Sequence, residues 1–281
     1  MKSKHNKFIS INGTVLDNPQ LENYMEKLAV RHNVKQYSDV DTYPIPRVKE
    51  NFKFIQKTYF LLTEHLKSNI DIYPAGEWLL DNFYIIEETT KTIIREMNPQ
   101  KYKKLPGLEE TQYKGYSRIY VLASEIVSYT DSKIDESVLN LAMLAYQKKK
   151  KLTMDEIWNL WIFLEIAIIE NIRTICEKIY SAQIQKYKVK SIIERLVEKK
   201  DIKNQKFLPI KESKETSLLY SPKVKYPFIE YMSYNLKQYG KQGMPYLNIL
   251  EEQVNKMGLT ISEVIQKEHF DIAIRKSING K

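Results

Sequence analysis

The stretch "LTMDEIWNLWIFLEIAIIENIRTICEKIY", Leu152–Tyr180, limits this chain more than any other. It holds no glycine or proline, and its apolar residues return every three to four positions, the period of a helix. Thr153 and Glu156 have the Ser/Thr-x-x-Glu spacing of a capping box, which predicts the helix start. The greasiest part, Ile157–Ile169, is too short to span a bilayer and contains Asn159 and Glu165. A long central buried helix is therefore expected. The pattern continues through "SAQIQKYKVKSIIERLVEKK", which predicts either a very long helix or a break near Ser181.

Helix breakers are scarce elsewhere too, with 8 Gly and 10 Pro among 281 residues. Asn18 with Pro19 suits a helix start. A helix over Arg47–Lys67 would bury Phe52, Ile55, Tyr59, Leu62 and Leu66. Further helices are expected from Gly76 toward Met97, from Ser117 to near Asp131, and after Asp135 as N-cap. Three shorter ones follow, with Gly240 and Gly258 placed as C-terminal caps and Thr260–Glu263 as another capping box. The expected fold is all-α, a multi-helix bundle of about nine helices. Residues 1–18 would form an arm, 19–200 the main helical domain, 201–222 an irregular connection, and 223–281 a C-terminal helical subdomain packing on the main domain.

The formal net charge is +9, but the excess is spread along the chain. Its one dense run, Lys148–Lys151, reads as a helix end, where cations complement the dipole. A basic module for nucleic acid or anionic lipid would need one contiguous cationic face, and no nucleic acid is expected as a partner. The single cysteine, Cys176, allows no intramolecular disulfide. His5, His32, His65 and His269 have no ligand-spaced partners, so no zinc site is expected. "DVD" at Asp39–Asp41 mimics the Asp-x-Asp of sugar transferases but lacks the strand context. There is no P-loop, dinucleotide fingerprint or G-x-S-x-G, and no cofactor is expected. The N-terminus has no hydrophobic signal segment.

Polar residues inside greasy helices are the candidate sites. Glu77, Asp81, Tyr84 and Glu88 fall on one helical stripe beside Trp78, and Asn82 should be buried. Two carboxyls about 5–10 Å apart could work on a glycosidic bond; the simpler reading is acids at a helix dipole or facing solvent. Glu165 is the most anomalous charge, with Arg118, beside Tyr120, as its candidate partner. Asn159, Glu170 and Arg173 share an edge on which Glu170 and Arg173 can pair. Glu156 and Trp158 complete the set. Tyrosines and lysines alternate in "QYKGYSRIY", which could stack on sugars or bases but more simply packs a loop. A structural polar network is favoured over an active site.

The order of "AGEWLLDNFYIIEE" (Ala75–Glu88), "YKKLPGL" (Tyr102–Leu108), "SRIYVLASEIVSYTDSKID" (Ser117–Asp135), "AYQ" before "LTMDEIWNLWIFLEIAIIENIR" (Ala145–Arg173) and "GLTISEVIQKEHFDIA" (Gly258–Ala273) resembles the N-terminal region of the cyclic β-1,2-glucan synthases. These are large membrane-bound bacterial glycosyltransferases with a C-terminal phosphorylase-like module. Glu77–Asn82 and Glu156–Trp158 carry the most specific part of the resemblance. Glu165 departs from the family pattern, which looks basic there. The family's transferase motifs are not in this chain. The resemblance therefore implies a non-catalytic, cytoplasmic docking or regulatory domain at the inner face of the membrane. Its partners would be the downstream transferase and membrane modules, with β-1,2-glucan as a further candidate. It also implies an excised or truncated piece. The alternative is a glucan-binding or glucan-processing domain using Glu77, Asp81 and Glu88.

Overall fold

A computed structural model describes residues 14–109, 112–197 and 226–266. The expected connection at 201–222 and most of the arm lie outside them. The described fold is all-α. Its helices are α1 (Asn18–Arg31), α2 (Ile45–Lys67), α3 (Pro74–Glu96), α4 (Pro99–Lys103), α5 (Arg118–Tyr129), α6 (Glu136–Lys149), α7 (Met154–Val197), α8 (Tyr226–Gln238) and α9 (Met244–Lys256). Residues 261–266 are helical as well. Two two-residue strands, β1 (Val34–Lys35) and β2 (Gly107–Leu108), pair antiparallel as Val34 with Leu108 and Lys35 with Gly107. A Cβ on Gly107 would meet the Tyr37 carbonyl oxygen at 2.5 Å, so the close approach requires glycine there.

Local signals set the helix ends. Thr153 and Glu156 close the capping box of α7, with Thr153 N donating to Glu156 Oε2 at 2.8 Å. Asp135 caps α6 by accepting from Val138 N at 2.8 Å. Thr260 and Glu263 close another capping box, Thr260 N donating to Glu263 Oε2 at 2.7 Å. Gly240 and Gly258 follow α8 and α9 with φ of 53° and 74°, a region where other residues are strained. The start of α1 differs by one residue from expectation. Asp17, not Asn18, is the N-cap, in a reciprocal box with Gln20.

The described residues fall into two compact units. The first takes those up to Phe60 together with Ala75–Glu177; the second takes Leu61–Pro74 and those from Lys178 onward. Both α2 and α7 contribute to each. The break considered near Ser181 is absent, because α7 is one helix of 44 residues.

In the first unit α1 packs along α6, burying Leu21, Met25, Leu28 and Ala29 on one side and Ala142, Ala145 and Tyr146 on the other. Helix α5 is buried almost all round, from Arg118 to Ser128. Tyr120 stacks on Phe163 of α7 with centroids 5.5 Å apart. In α2 the buried face is Ile45, Val48, Asn51, Ile55, Thr58, Leu62 and His65. The expected face is thus rotated: Leu66 is exposed, and Phe52 and Tyr59 are half-buried against Phe83. Period alone locates an apolar stripe but not its centre when small polar residues lie inside it.

The second unit is a helical cluster. Val189, Ile192, Ile193 and Leu196 of α7 meet Phe228, Ile229, Met232 and Leu236 of α8. Tyr246, Leu247, Leu250 and Val254 of α9 join them, with Ile261 and Val264. Lys186 is buried and donates to the Asp71 carbonyl at 3.1 Å, while its Nζ lies 3.8 Å from the Tyr73 ring centroid and 5.2 Å from that of Tyr231. Burial lowers its pKa, against the attraction of Asp71 and Glu230.

Candidate functional site

The acidic stripe lies on open surface. Glu77, Asp81, Tyr84 and Glu88 are all exposed, because α3 turns Gly76, Leu79, Ile86, Thr90 and Ile93 inward instead. Glu88 pairs with Lys91 at 2.8 Å on open surface. Trp78 is exposed as well, so no aromatic wall faces the acids. Asn82, expected buried, is half-buried and donates to the Trp78 carbonyl of its own helix at 2.8 Å.

The buried charges pair differently from the sequence expectation. Arg118 meets Glu156, not Glu165. Its Nε donates to Glu156 Oε1 at 2.7 Å, its Nη2 donates to Oε2, and the two side chains are 3% and 0% exposed. Nη2 also donates to the Lys151 carbonyl at 3.1 Å. One carboxylate therefore caps α7 and anchors α5. Glu170 pairs across to α2, not with Arg173: Arg47 Nη2 donates to Glu170 Oε1 at 2.9 Å, and Asn51 Nδ2 donates to Oε2. Arg173 instead bonds Glu177 at 2.9 Å and lies over the Phe54 ring. Tyr120 borders this network; burial, then the Glu170 charge, raises its pKa. Both acids are buried and held by arginine, Arg118 nearly dry and Arg47 23% exposed, so these groups tie helices together.

Glu165 is half-buried. Burial raises its pKa, the Trp161 indole donating to it works the other way, and the charge of Glu96 adds to the rise. It sits in an apolar flank that the sequence reading assigned to the interior. Met154, Ile157, Trp161 and Ile175 are exposed, and Ile168 and Ile172 half-buried, along one side of α7. At 100° per residue they share a stripe about 60° wide, and at 1.5 Å per residue it is roughly 32 Å long. The opposite side buries Phe163, Ile166, Ala167 and Ile169. Leu160, Ile162 and Leu164 are buried too, so this stretch of the helix is covered round most of its circumference and open along the narrow stripe.

Next to that flank, between α4 and the first turns of α7, lies a cleft of about 520 Å³. Leu105 contributes an apolar surface, and Asn98, Gln100, Lys101 and Lys104 line one wall. Asp155, Trp158 and Asn159 form the other. Trp158 is 71% exposed. Asn159 is 5% exposed, its Nδ2 donating to the Asp155 carbonyl at 2.6 Å while Oδ1 has no hydrogen-bond donor. Of the residues singled out from sequence in the greasy helices, Trp158 and Asn159 line this cleft. The signal available for the others was the Asn98 cap, whose side chain accepts from Lys101 N at 2.8 Å.

The remaining expectations concern metals, membranes and loop tyrosines. Among the described residues no group of His, Cys, Asp and Glu is placed to hold a metal ion, and no helix is long and apolar enough to cross a membrane. Tyr116 and Tyr120 of "QYKGYSRIY" are buried, and Tyr113 half-buried, so that stretch is packing. Lys148 and Lys149 of the basic run pair with Glu22 and Glu26 of α1.

No family model matches the chain. It is similar to the cyclic beta-(1,2)-glucan synthase NdvB of Rhizobium meliloti (strain 1021), with 24% identity over 222 residues. That match covers 79% of this chain but only 8% of the synthase's length. As the order of its motifs implied, the chain is related through most of its length to one small segment of a cyclic β-(1,2)-glucan synthase.

Proposed function

We propose that this chain is a non-catalytic helical domain that docks, through the apolar flank of α7, onto the rest of a glucan-synthase polypeptide at the cytoplasmic face of the membrane. The observation that carries the reading is the stripe Met154–Ile157–Trp161–Ile168–Ile172–Ile175, four of its residues exposed and two half-buried along a helix otherwise mostly buried there. A largely apolar strip that includes an exposed tryptophan has the character of a protein interface. The occupant follows from length: the matched segment is 8% of its relative, so a much larger polypeptide accompanies the corresponding segment there. Interior salt bridges account for Glu156 and Glu170 without chemistry. The exposed acids of α3 lack the convergence that glycosidic cleavage needs.

The test is association between this chain and the remainder of a cognate synthase, produced separately. A Trp161→Arg/Ile168→Glu double variant should weaken association at least about tenfold, since like interface centres carry most of the binding energy. Its far-UV circular dichroism should match that of the parent chain. Equal association of the variant, or turnover of UDP-glucose by the isolated chain, would refute the reading.

A further inference from the structure

We infer that the cleft between α4 and the start of α7 is a binding site for a neutral carbohydrate, with the Trp158 ring as its stacking platform. Three observations converge. Trp158 presents its indole beside the cleft at 71% exposure, where a large aromatic has no burial to gain from the fold itself. Asn159, on the next position of the same helix, is among the lining residues, and its Oδ1, buried behind the cleft wall, has no donor from the protein. Its amide cannot simply be turned over, because Nδ2 is held by the Asp155 carbonyl, and the reversed amide would set oxygen against oxygen. A buried acceptor without a protein donor takes its hydrogen bond from water or a ligand; Asn51 Oδ1 and Gln183 Oε1 are in the same condition, but of the three residues Asn159 is the one beside the Trp158 cleft. A small adjustment of the exposed wall would let a hydroxyl entering beside Trp158 supply that bond.

The remaining lining fits the same ligand class. Asp155 can accept from hydroxyls, Gln100 can both donate and accept, and Lys101 and Lys104 donate to ring or hydroxyl oxygens. A pyranose has an apolar face for the tryptophan and a rim of hydroxyls for these groups. The volume of about 520 Å³ is within the range of small-ligand sites. A nucleoside diphosphate is the competing class, because two lysines line the cleft. Asp155 opposes it, and Asn159 offers it only a further acceptor. Trp158 borders the docking stripe, about 60° around α7 from Trp161, while Asp155 and Asn159 lie further round the helix, so separate substitutions distinguish this inference from the docking reading.

The experiment is calorimetric titration of the whole chain with a linear β-1,2-gluco-oligosaccharide, a β-1,3-linked one, and UDP. Saturable binding of a gluco-oligosaccharide is expected. It should weaken at least about tenfold, or 1.4 kcal/mol, in Trp158→Ala and similarly in Asn159→Leu. Leu at 159 removes the unsatisfied acceptor, so the second variant is not expected to unfold; melting curves check this. Trp161→Arg should bind the sugar unchanged, which separates this result from the docking test. Absence of sugar binding at millimolar concentration, sugar binding that survives Trp158→Ala, or binding of UDP alone would overturn the inference.

Discussion

The Arg118–Glu156 pair joins α5 to the capping turn of α7 with both side chains essentially dry. Replacing Glu156 by Leu leaves a guanidinium 3% exposed without its carboxylate. Breaking one side of such a pair costs about 3–5 kcal/mol. The capping acceptor of Thr153 N is lost at the same time, for about 1 kcal/mol more. Arg118→Met leaves the acid buried but still bonded by Thr153, so about 3 kcal/mol is expected. The double variant Arg118→Met/Glu156→Leu removes both charges. A well-packed apolar replacement is often neutral, so the capping loss of about 1–2 kcal/mol should dominate. The sum of the singles thus exceeds the double by several kcal/mol. Urea unfolding followed by far-UV circular dichroism reads this as midpoints, with the slope checked for constancy. Additive single effects, or a double variant worse than either single, would refute the pairing as the source of stability.

Two further perturbations address other buried groups. His32 is fully buried, its Nδ1 2.8 Å from Tyr146 Oη, and burial together with Arg118, Arg31 and Lys150 lowers its pKa from 6.5 to about 3. The unfolded chain therefore takes up the proton first. The stability this group contributes is complete above pH 6.5 and is lost as the pH falls toward 3. Between pH 7 and 5 the loss is about 2 kcal/mol; His32→Gln should flatten that slope, and an unchanged slope would exclude His32 as its cause. Lys186→Met in the second unit should lose about 1–2 kcal/mol through its hydrogen bond to the Asp71 carbonyl, which still accepts from Gln183 Nε2 at 2.8 Å, and through the two tyrosine rings. Thermal melts check it, and a neutral result would mean the ammonium contributes nothing net.

The features legible in the sequence are local. Thr153–Glu156, Asp135, Thr260–Glu263, Gly240 and Gly258 each mark a helix end through groups three residues apart or one backbone conformation, and the structure places them so. Partners across the fold were not legible. The capping box already explained Glu156, so nothing in the sequence signalled that Arg118, 38 positions away, shares it. Glu170 had Arg173 on its own helix, but Arg47 of α2 offers two donors in the plane of the carboxylate. The flank of α7 was read as core because apolar periodicity does not say which apolar face is covered. The cleft escaped for a related reason. Its walls come from a five-residue helix and the first turns of a long one, far apart in sequence, and its marker is the missing donor at Asn159.

The docking reading is tested most directly by thiol labelling along α7. The only native thiol, Cys176, is buried and its pKa is pushed up to about 12, so it gives little background. Single cysteines at Met154 and Ile175, near the two ends of the exposed stripe, and at Val30 as a control on α1, should react readily with a maleimide in the isolated chain. Within the assembled synthase, the first two should slow at least about tenfold while the Val30 position stays reactive. Equal labelling at all three sites in both settings would contradict the claim that this flank is where the domain docks.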